Sequence, residues 1–356
     1  MGNDGRTGNL YRSKRAKTIY NPIGALMIQQ IFFPSLGHVE VRQAPLPPPP
    51  GNGEVLLAPA FVGICGTDVH VLHGKHSVKP PLVIGHEMAG IVEKIGAGVD
   101  GFVPGDHVAL NPVVACGKCT ACLRGRYNIC ERATIIGFRL PGAAQTKLVV
   151  KQQQLHHVPL TIPLHHAALA EPLSVGVHAV SRASDLEEVL IIGGGTIGLC
   201  VLAAAKAAGA ARVTVVEPVA SKRALALHLG ATAALSPDEP VAERFFSTCF
   251  DIVGRPATLG LAEGSCMSGG TIVVVGTAFG FSEVNTPRLQ RYELTLRGSS
   301  IFVDDDMRQA IGILASGLFD AEAFITGQRS LDEALQAYAD ASNPANVKTM
   351  IRMQND

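Results

Sequence analysis

A chain of 356 residues in which 30 Lys+Arg balance 30 Asp+Glu carries no net charge, so nothing electrostatic points to nucleic acid or an anionic membrane as partner. With 47% hydrophobic and 17% charged residues it is an ordered globular protein, long enough for two domains with separate cores. No apolar run nears the ~20 residues of a bilayer span, no signal-peptide h-region opens the chain, and four of the eight cysteines cluster at metal-ligand spacing, which together imply a reducing, cytoplasmic setting.

Residues 1–26 place Arg6, Arg12, Lys14, Arg15 and Lys17 against Asp4 without periodicity and read as a disordered extension, with a basic docking tail as the alternative. Short strands are expected at Ile28 to Phe33 and His38 to Val41, joined by a turn at Gly37. The Pro45 to Gly51 run reads as a stiff connector. An alternating strand, Glu54 to Val62, then leads into Gly63-Ile64-Cys65-Gly66-Thr67-Asp68-Val69-His70, which gathers a thiol, a hydroxyl, a carboxylate and an imidazole. Taken alone, such a cysteine is more often a buried core thiol. A second donor pair follows at His86-Glu87, in a β-rich stretch punctuated by Gly and Pro.

Cys116, Cys119, Cys122 and Cys130 follow C-x2-C-x2-C-x7-C, a spacing that suits a closed tetrahedral zinc site. With all four positions filled by thiolates, such a site is structural. An iron–sulfur cluster is the alternative.

From about Ala167 the pattern changes to helices alternating with wholly apolar strands, the mark of a parallel sheet covered on both faces. Val189 to Ile192 reads as a strand, followed by helix 197–208, strand Arg212 to Glu217, helix 220–229 and a strand from Ala233 to Ser236. Further strands are expected at Thr248 to Val253, Thr271 to Gly276 and Leu294 to Phe302, and two helices, Met307 to Ala315 and Leu331 to Ala341, precede a strand from Val347 to Arg352. Gly193-Gly194-Gly195-Thr196-Ile197-Gly198 follows the first strand and opens a helix, and the second strand ends in Glu217. Gly193 permits the turn, Gly195 lets backbone approach a pyrophosphate, and Gly198 lets the helix pack on the sheet. Backbone around Thr196 and Ile197 at the helix start would meet the phosphates. Glu217 would accept the adenosine ribose hydroxyls and repel a 2′-phosphate, which favours NAD over NADP; Lys222 and Arg223 close by weaken that preference.

At this point the chain resembles the zinc-containing medium-chain alcohol dehydrogenases, on Gly85-His86-Glu87-x2-Gly90-x5-Gly96-x2-Val99, the cysteine lobe and the Gly193–Gly198 turn in that order. Glu171-Pro172-Leu173-Ser174-Val175 is most similar to the sorbitol and threonine dehydrogenase branch. The resemblance implies a GroES-like β-rich catalytic domain over 27–173 with a zinc lobe at about 112–132, a doubly wound Rossmann domain over 174–304, and a return to the first domain over 305–356. It implies two zinc ions per subunit: a structural one on the four cysteines, and a catalytic one on Cys65, His86 and Glu171, with Glu87 beside it as an exchanging ligand and Asp68 orienting His86. Thr67 and His70 would carry the alcohol proton outward. The implied activity is hydride transfer between NAD and a secondary alcohol, a polyol or diol, in a homodimer or homotetramer. A threonine 3-dehydrogenase-like enzyme and a non-catalytic zinc protein of the same fold are the alternatives. Val71 and Ile301-Phe302 depart from the Tyr and Arg-Tyr that sorbitol dehydrogenases carry there, and the short crossover between Ala234 and Thr248 implies a trimmed helix.

Overall fold

The computed structural model describes residues 27–277 and 281–354; the basic stretch 1–26 lies outside them. The apolar runs form six parallel strands, Glu188–Ile192, Arg212–Val216, Ala233–Leu235, Phe246–Asp251, Cys266–Val274 and Thr295–Gly298. They lie side by side in the order third, second, first, fourth, fifth, sixth. Val189, Leu190 and Ile191 are fully buried because helices cover both faces of the sheet. The strand order reverses between the first and fourth strands, which is where a doubly wound sheet opens a crevice for a ligand. The expected doubly wound fold is therefore present.

Several details differ from the sequence reading: the fourth and fifth strands run Phe246–Asp251 and Cys266–Val274, each starting earlier than the apolar run suggested. Between Leu235 and Phe246 the chain forms no helix at all, where a trimmed one was expected. Pro237 and Pro240 interrupt the segment, each removing a backbone donor, and Glu239 accepts from the Ser236 N–H at 2.6 Å to close a turn instead. The sixth strand is only Thr295–Gly298, not Leu294 to Phe302. Glu293 before it and Ile301 after it take left-handed backbone angles, φ 51° and 53°, which no strand continues through.

The β-rich part of the chain carries a seven-stranded sheet ordered Leu155–His157, His107–Leu110, Glu87–Ile95, Glu54–Gly63, Thr349–Arg352, Gly327–Ser330, with Leu148–Lys151 also paired to Glu54–Gly63. Met350 pairs with Gly63, so the last strand of the chain lies directly beside the strand that leads to Cys65. Gly90 is required in its neighbour, since a Cβ there would lie 2.5 Å from the Ala58 carbonyl oxygen. Phe33, Leu57, Val62, Met88, Leu110 and Tyr338 fill the core of this part. The connecting helix Ala170–Val180 packs against the nucleotide-side helix Thr196–Ala207, with Gly176 against the Cys200 backbone, where a Cβ would come within 2.5 Å. No helix among the described residues is long and apolar enough to cross a membrane.

Candidate active site and metal centres

Cys65 leaves its strand in extended conformation (φ −84°, ψ 150°) and caps the helix Gly66–Leu72. Its Sγ accepts from the Thr67 N–H at 3.4 Å, and its own N–H donates to Asp68 Oδ2 at 3.0 Å. The other oxygen of Asp68 faces His86 Nδ1 at 3.6 Å. Neither atom has a closer hydrogen-bond partner, although both are buried. With Nδ1 turned to Asp68, the ring leaves Nε2 for the side of Cys65, and the Phe138 ring stands edge-on at 5.0 Å to hold it.

The Cys65 sulfur, a His86 nitrogen and a Glu87 carboxylate oxygen lie within 4.8 Å of one another. Glu171 starts the connecting helix and is buried near the same group, outside that tightest set. Burial pushes its carboxyl up to about 7; the charges of Glu87 and Asp68 add to this while His86 and Lys348 oppose it. A thiol, an imidazole and buried carboxylates crowded together suit a zinc ion, whose charge would offset the cost of burying them. The donor set and the orienting Asp68 therefore fit the group that the sequence pattern implies.

One buried cation already stands in this cluster. Lys348 Nζ, with 1% of its side chain exposed, donates to Glu87 at 2.7 and 2.5 Å and to the Ile64 carbonyl at 3.0 Å. Sequence reasoning missed it because 261 residues separate the two partners. Gly63 was missed as well. A Cβ there would lie 2.2 Å from Glu87 Oε2, so the glycine makes room for the carboxylate.

Cys65 also lines a cavity of about 240 Å³, with His70, Thr196, Lys222, Asn346 and Val347 among others. Thr196, first residue of its helix, ties that helix to the C-terminal segment by donating to the Val347 carbonyl at 2.5 Å. Gly193 has φ 105°, a Cβ on Gly198 would lie 1.8 Å from the Gly193 oxygen, and Gly195 faces open space. The turn is thus closed behind and bare in front, where a pyrophosphate could approach the backbone of Thr196 and Ile197. The buried carboxylate of Glu217 accepts from the N–H groups of Gly194 at 2.8 Å and Val219 at 2.9 Å, so it shapes the turn itself. Lys222 borders the cavity, and Arg223 is spent on the carbonyls of Glu217 and Pro218.

The thiols of Cys116, Cys119, Cys122 and Cys130 also lie within 4.8 Å of one another, and none is in a disulfide. Backbone N–H groups of Cys116 and Arg132 donate to Cys130 Sγ, each at 3.4 Å, as suits a thiolate cage. The lobe is pinned to the other domain through Asn128, which donates to the Ser300 carbonyl at 2.8 Å and meets His178 at 3.2 Å.

Comparison with known proteins agrees with this geometry. Residues 51–160 match the alcohol dehydrogenase GroES-like domain, and residues 196–316 match the zinc-binding dehydrogenase model. The chain belongs to the zinc-binding medium-chain dehydrogenases. It is 36% identical to the 2-dehydro-3-deoxy-L-galactonate 5-dehydrogenase of Pseudoalteromonas atlantica over 85% of this chain and 92% of that one. It is 33% identical to the sorbitol dehydrogenase of Bacillus subtilis, over 84% and 89% of the two chains. Among solved structures, a Sinorhizobium meliloti protein assigned to the zinc-binding dehydrogenases and bound to NADP superposes with a TM-score of 0.86 at 31% identity, covering 92% of this chain and 99% of the other. Zinc and a nicotinamide cofactor follow for a dehydrogenase of this family.

In this dehydrogenase His70 is exposed at the mouth of the cavity, one turn after Thr67 on the helix that Cys65 caps. Partial burial, with Lys75 and His73 nearby, holds its imidazole below the usual range. Val71 is buried against the core, and Phe302 is fully buried, so neither offers a polar group to a substrate.

Proposed function

We propose that this dehydrogenase oxidises a secondary hydroxyl of a sugar-derived alcohol or acid with NAD. The observation that carries the reading is the Cys65–His86–Glu87 cluster, with Glu171 nearby and with Cys65 lining the same cavity as Thr196 of the Gly193–Gly198 turn. When bound there, zinc supplies the Lewis acidity that lowers an alcohol's pKa by several units, and the nicotinamide supplies the hydride acceptor.

The chain's own residues do the rest. Cys65, His86 and Glu171 would hold the ion, and Asp68 would fix the His86 tautomer. Lys348 pairs with Glu87, so that this carboxylate of the donor cluster would stay engaged by the chain's own cation when the ion is bound. Thr67 takes the alcohol proton and passes it toward His70, which is neutral at pH 7 and able to accept it. Glu217 meets the adenosine ribose, and a 2′-phosphate there would bring like charge to a buried carboxylate whose nearest Arg is already engaged. NAD is accordingly preferred, by about 100-fold or more in kcat/KM if the clash costs a few kcal/mol.

The substrate class rests on relatives whose names specify sugar acids and sugar alcohols, including L-idonate 5-dehydrogenase of Vitis vinifera at 33% identity. Chain pairing through the edge strand Thr295–Gly298 belongs to the same reading. The test is a screen of polyols, aldonic acids, diols and threonine for NADH formation, with NADP as control and with zinc removed by a chelator. Zinc-dependent NADH formation with a polyol or aldonic acid supports the reading. Threonine as the best substrate, or activity that survives loss of all zinc, overturns it.

A further inference from the structure

His165 and His166 precede the connecting helix and belong to no motif in the sequence. In the fold they sit on the short helix Leu164–Ala167, across from Glu322 in the first turn of Ala321–Phe324. Both imidazole Nε2 atoms converge on one carboxylate oxygen, Glu322 Oε2, at 3.3 Å from His165 and 2.9 Å from His166. The two rings stand 4.2 Å apart, centroid to centroid.

We propose that His165, His166 and Glu322 form a further divalent-cation site, for a first-row transition metal such as zinc, completed by water. The three donor atoms lie within 4.8 Å of one another. Ligand atoms around a tetrahedral zinc with bonds of about 2.0–2.1 Å stand about 3.3 Å apart, which is close to the two separations here. Two imidazoles and one carboxylate also match the preference of zinc, copper and nickel over magnesium. The histidines are partly buried and the carboxylate is exposed, so an ion and its waters can reach the site. The Phe61 ring lies 5.5 Å from His165 and limits its motion. Asp320 adds a second negative charge close to His166; it caps the helix of Glu322 through the Ala323 N–H at 3.0 Å and pairs with His228 at 2.8 Å. An ion here would join residues 164–167, which run into the helix of Glu171, to the segment at 320–324.

The proposal does not depend on the catalytic reading and is tested by metal uptake. Enzyme purified without chelator is dialysed against metal-free buffer, its resident zinc is counted, and Zn²⁺ or Mg²⁺ is added with calorimetry and metal analysis as readouts. One extra zinc per chain is expected, with no response to magnesium and a rise in Tm of about 2 °C at saturating zinc. His166→Gln and Glu322→Gln are expected to abolish both the uptake and the Tm shift while retaining the resident zinc. Equal uptake in the two variants, or none beyond the resident metal, overturns the site and leaves the three side chains a hydrogen-bonded surface cluster.

Discussion

Replacing Lys348 by Met tests whether the buried ion pair with Glu87 is an organising contact of the active site. The substitution removes both Nζ contacts to Glu87 and the bond to the Ile64 carbonyl, and leaves a carboxylate with 1% exposure facing no cation of the chain's own. Breaking one side of a buried pair costs about 3–5 kcal/mol, which for a chain of this size is a fall in Tm of about 4–7 °C. Glu87→Gln with Lys348→Met removes both charges and keeps the shape that Gly63 accommodates, so the double variant should recover most of the loss. Far-UV circular dichroism is the appropriate probe, because the chain has no Trp. A single-variant cost below about 1 kcal/mol, or a double variant no more stable than the single, refutes the reasoning.

Asp68→Asn keeps the size of the side chain but offers His86 Nδ1 a weaker partner, and should lower zinc affinity at the catalytic cluster about 10–100-fold, read by competition with a chelating dye; unchanged affinity would remove Asp68 from its orienting role. His70 is held below its usual 6.5 by burial and by Lys75 and His73, so alcohol oxidation should weaken only below that pH, and His70→Asn should erase that limb of the kcat/KM profile. An unchanged profile would take the proton path elsewhere. Gly198→Ala would set a methyl 1.8 Å from the Gly193 oxygen, and should raise the KM for NAD at least about tenfold while leaving both zinc ions in place. A normal KM would mean that the turn does not hold the cofactor.

What could be read from the chain before its fold was known is what short spacing encodes. The four cysteines and the Gly193–Gly198 turn are each specified within a few residues, by ligand geometry and by φ, whereas the helix Gly66–Leu72 that Cys65 caps appeared only in the fold. The sheet strands were legible from their apolar runs, though their ends were not, because Ile301 and Glu293 stop the sixth strand by backbone angle rather than by composition. The missing helix after Leu235 was half-legible: the shortness of the crossover showed, but not that Pro237 and Pro240 had replaced the helix with a turn.

Contacts between distant segments were decided only by the tertiary structure. Lys348 reads in sequence as one more lysine near the end of the chain. It becomes the buried partner of Glu87 because the strand Thr349–Arg352 pairs with Glu54–Gly63 and carries its preceding residue to the metal cluster. Glu217 shows the same division: its place at a strand end was visible, while its grip on the Gly194 and Val219 N–H groups needed the folded turn. His165 and His166 meet Glu322 across more than 150 residues, and no local pattern announces that encounter. Donor types and loop geometry are local properties that a sequence states directly. Which buried charges face one another depends on which strands pair, and pairing is a property of the whole chain.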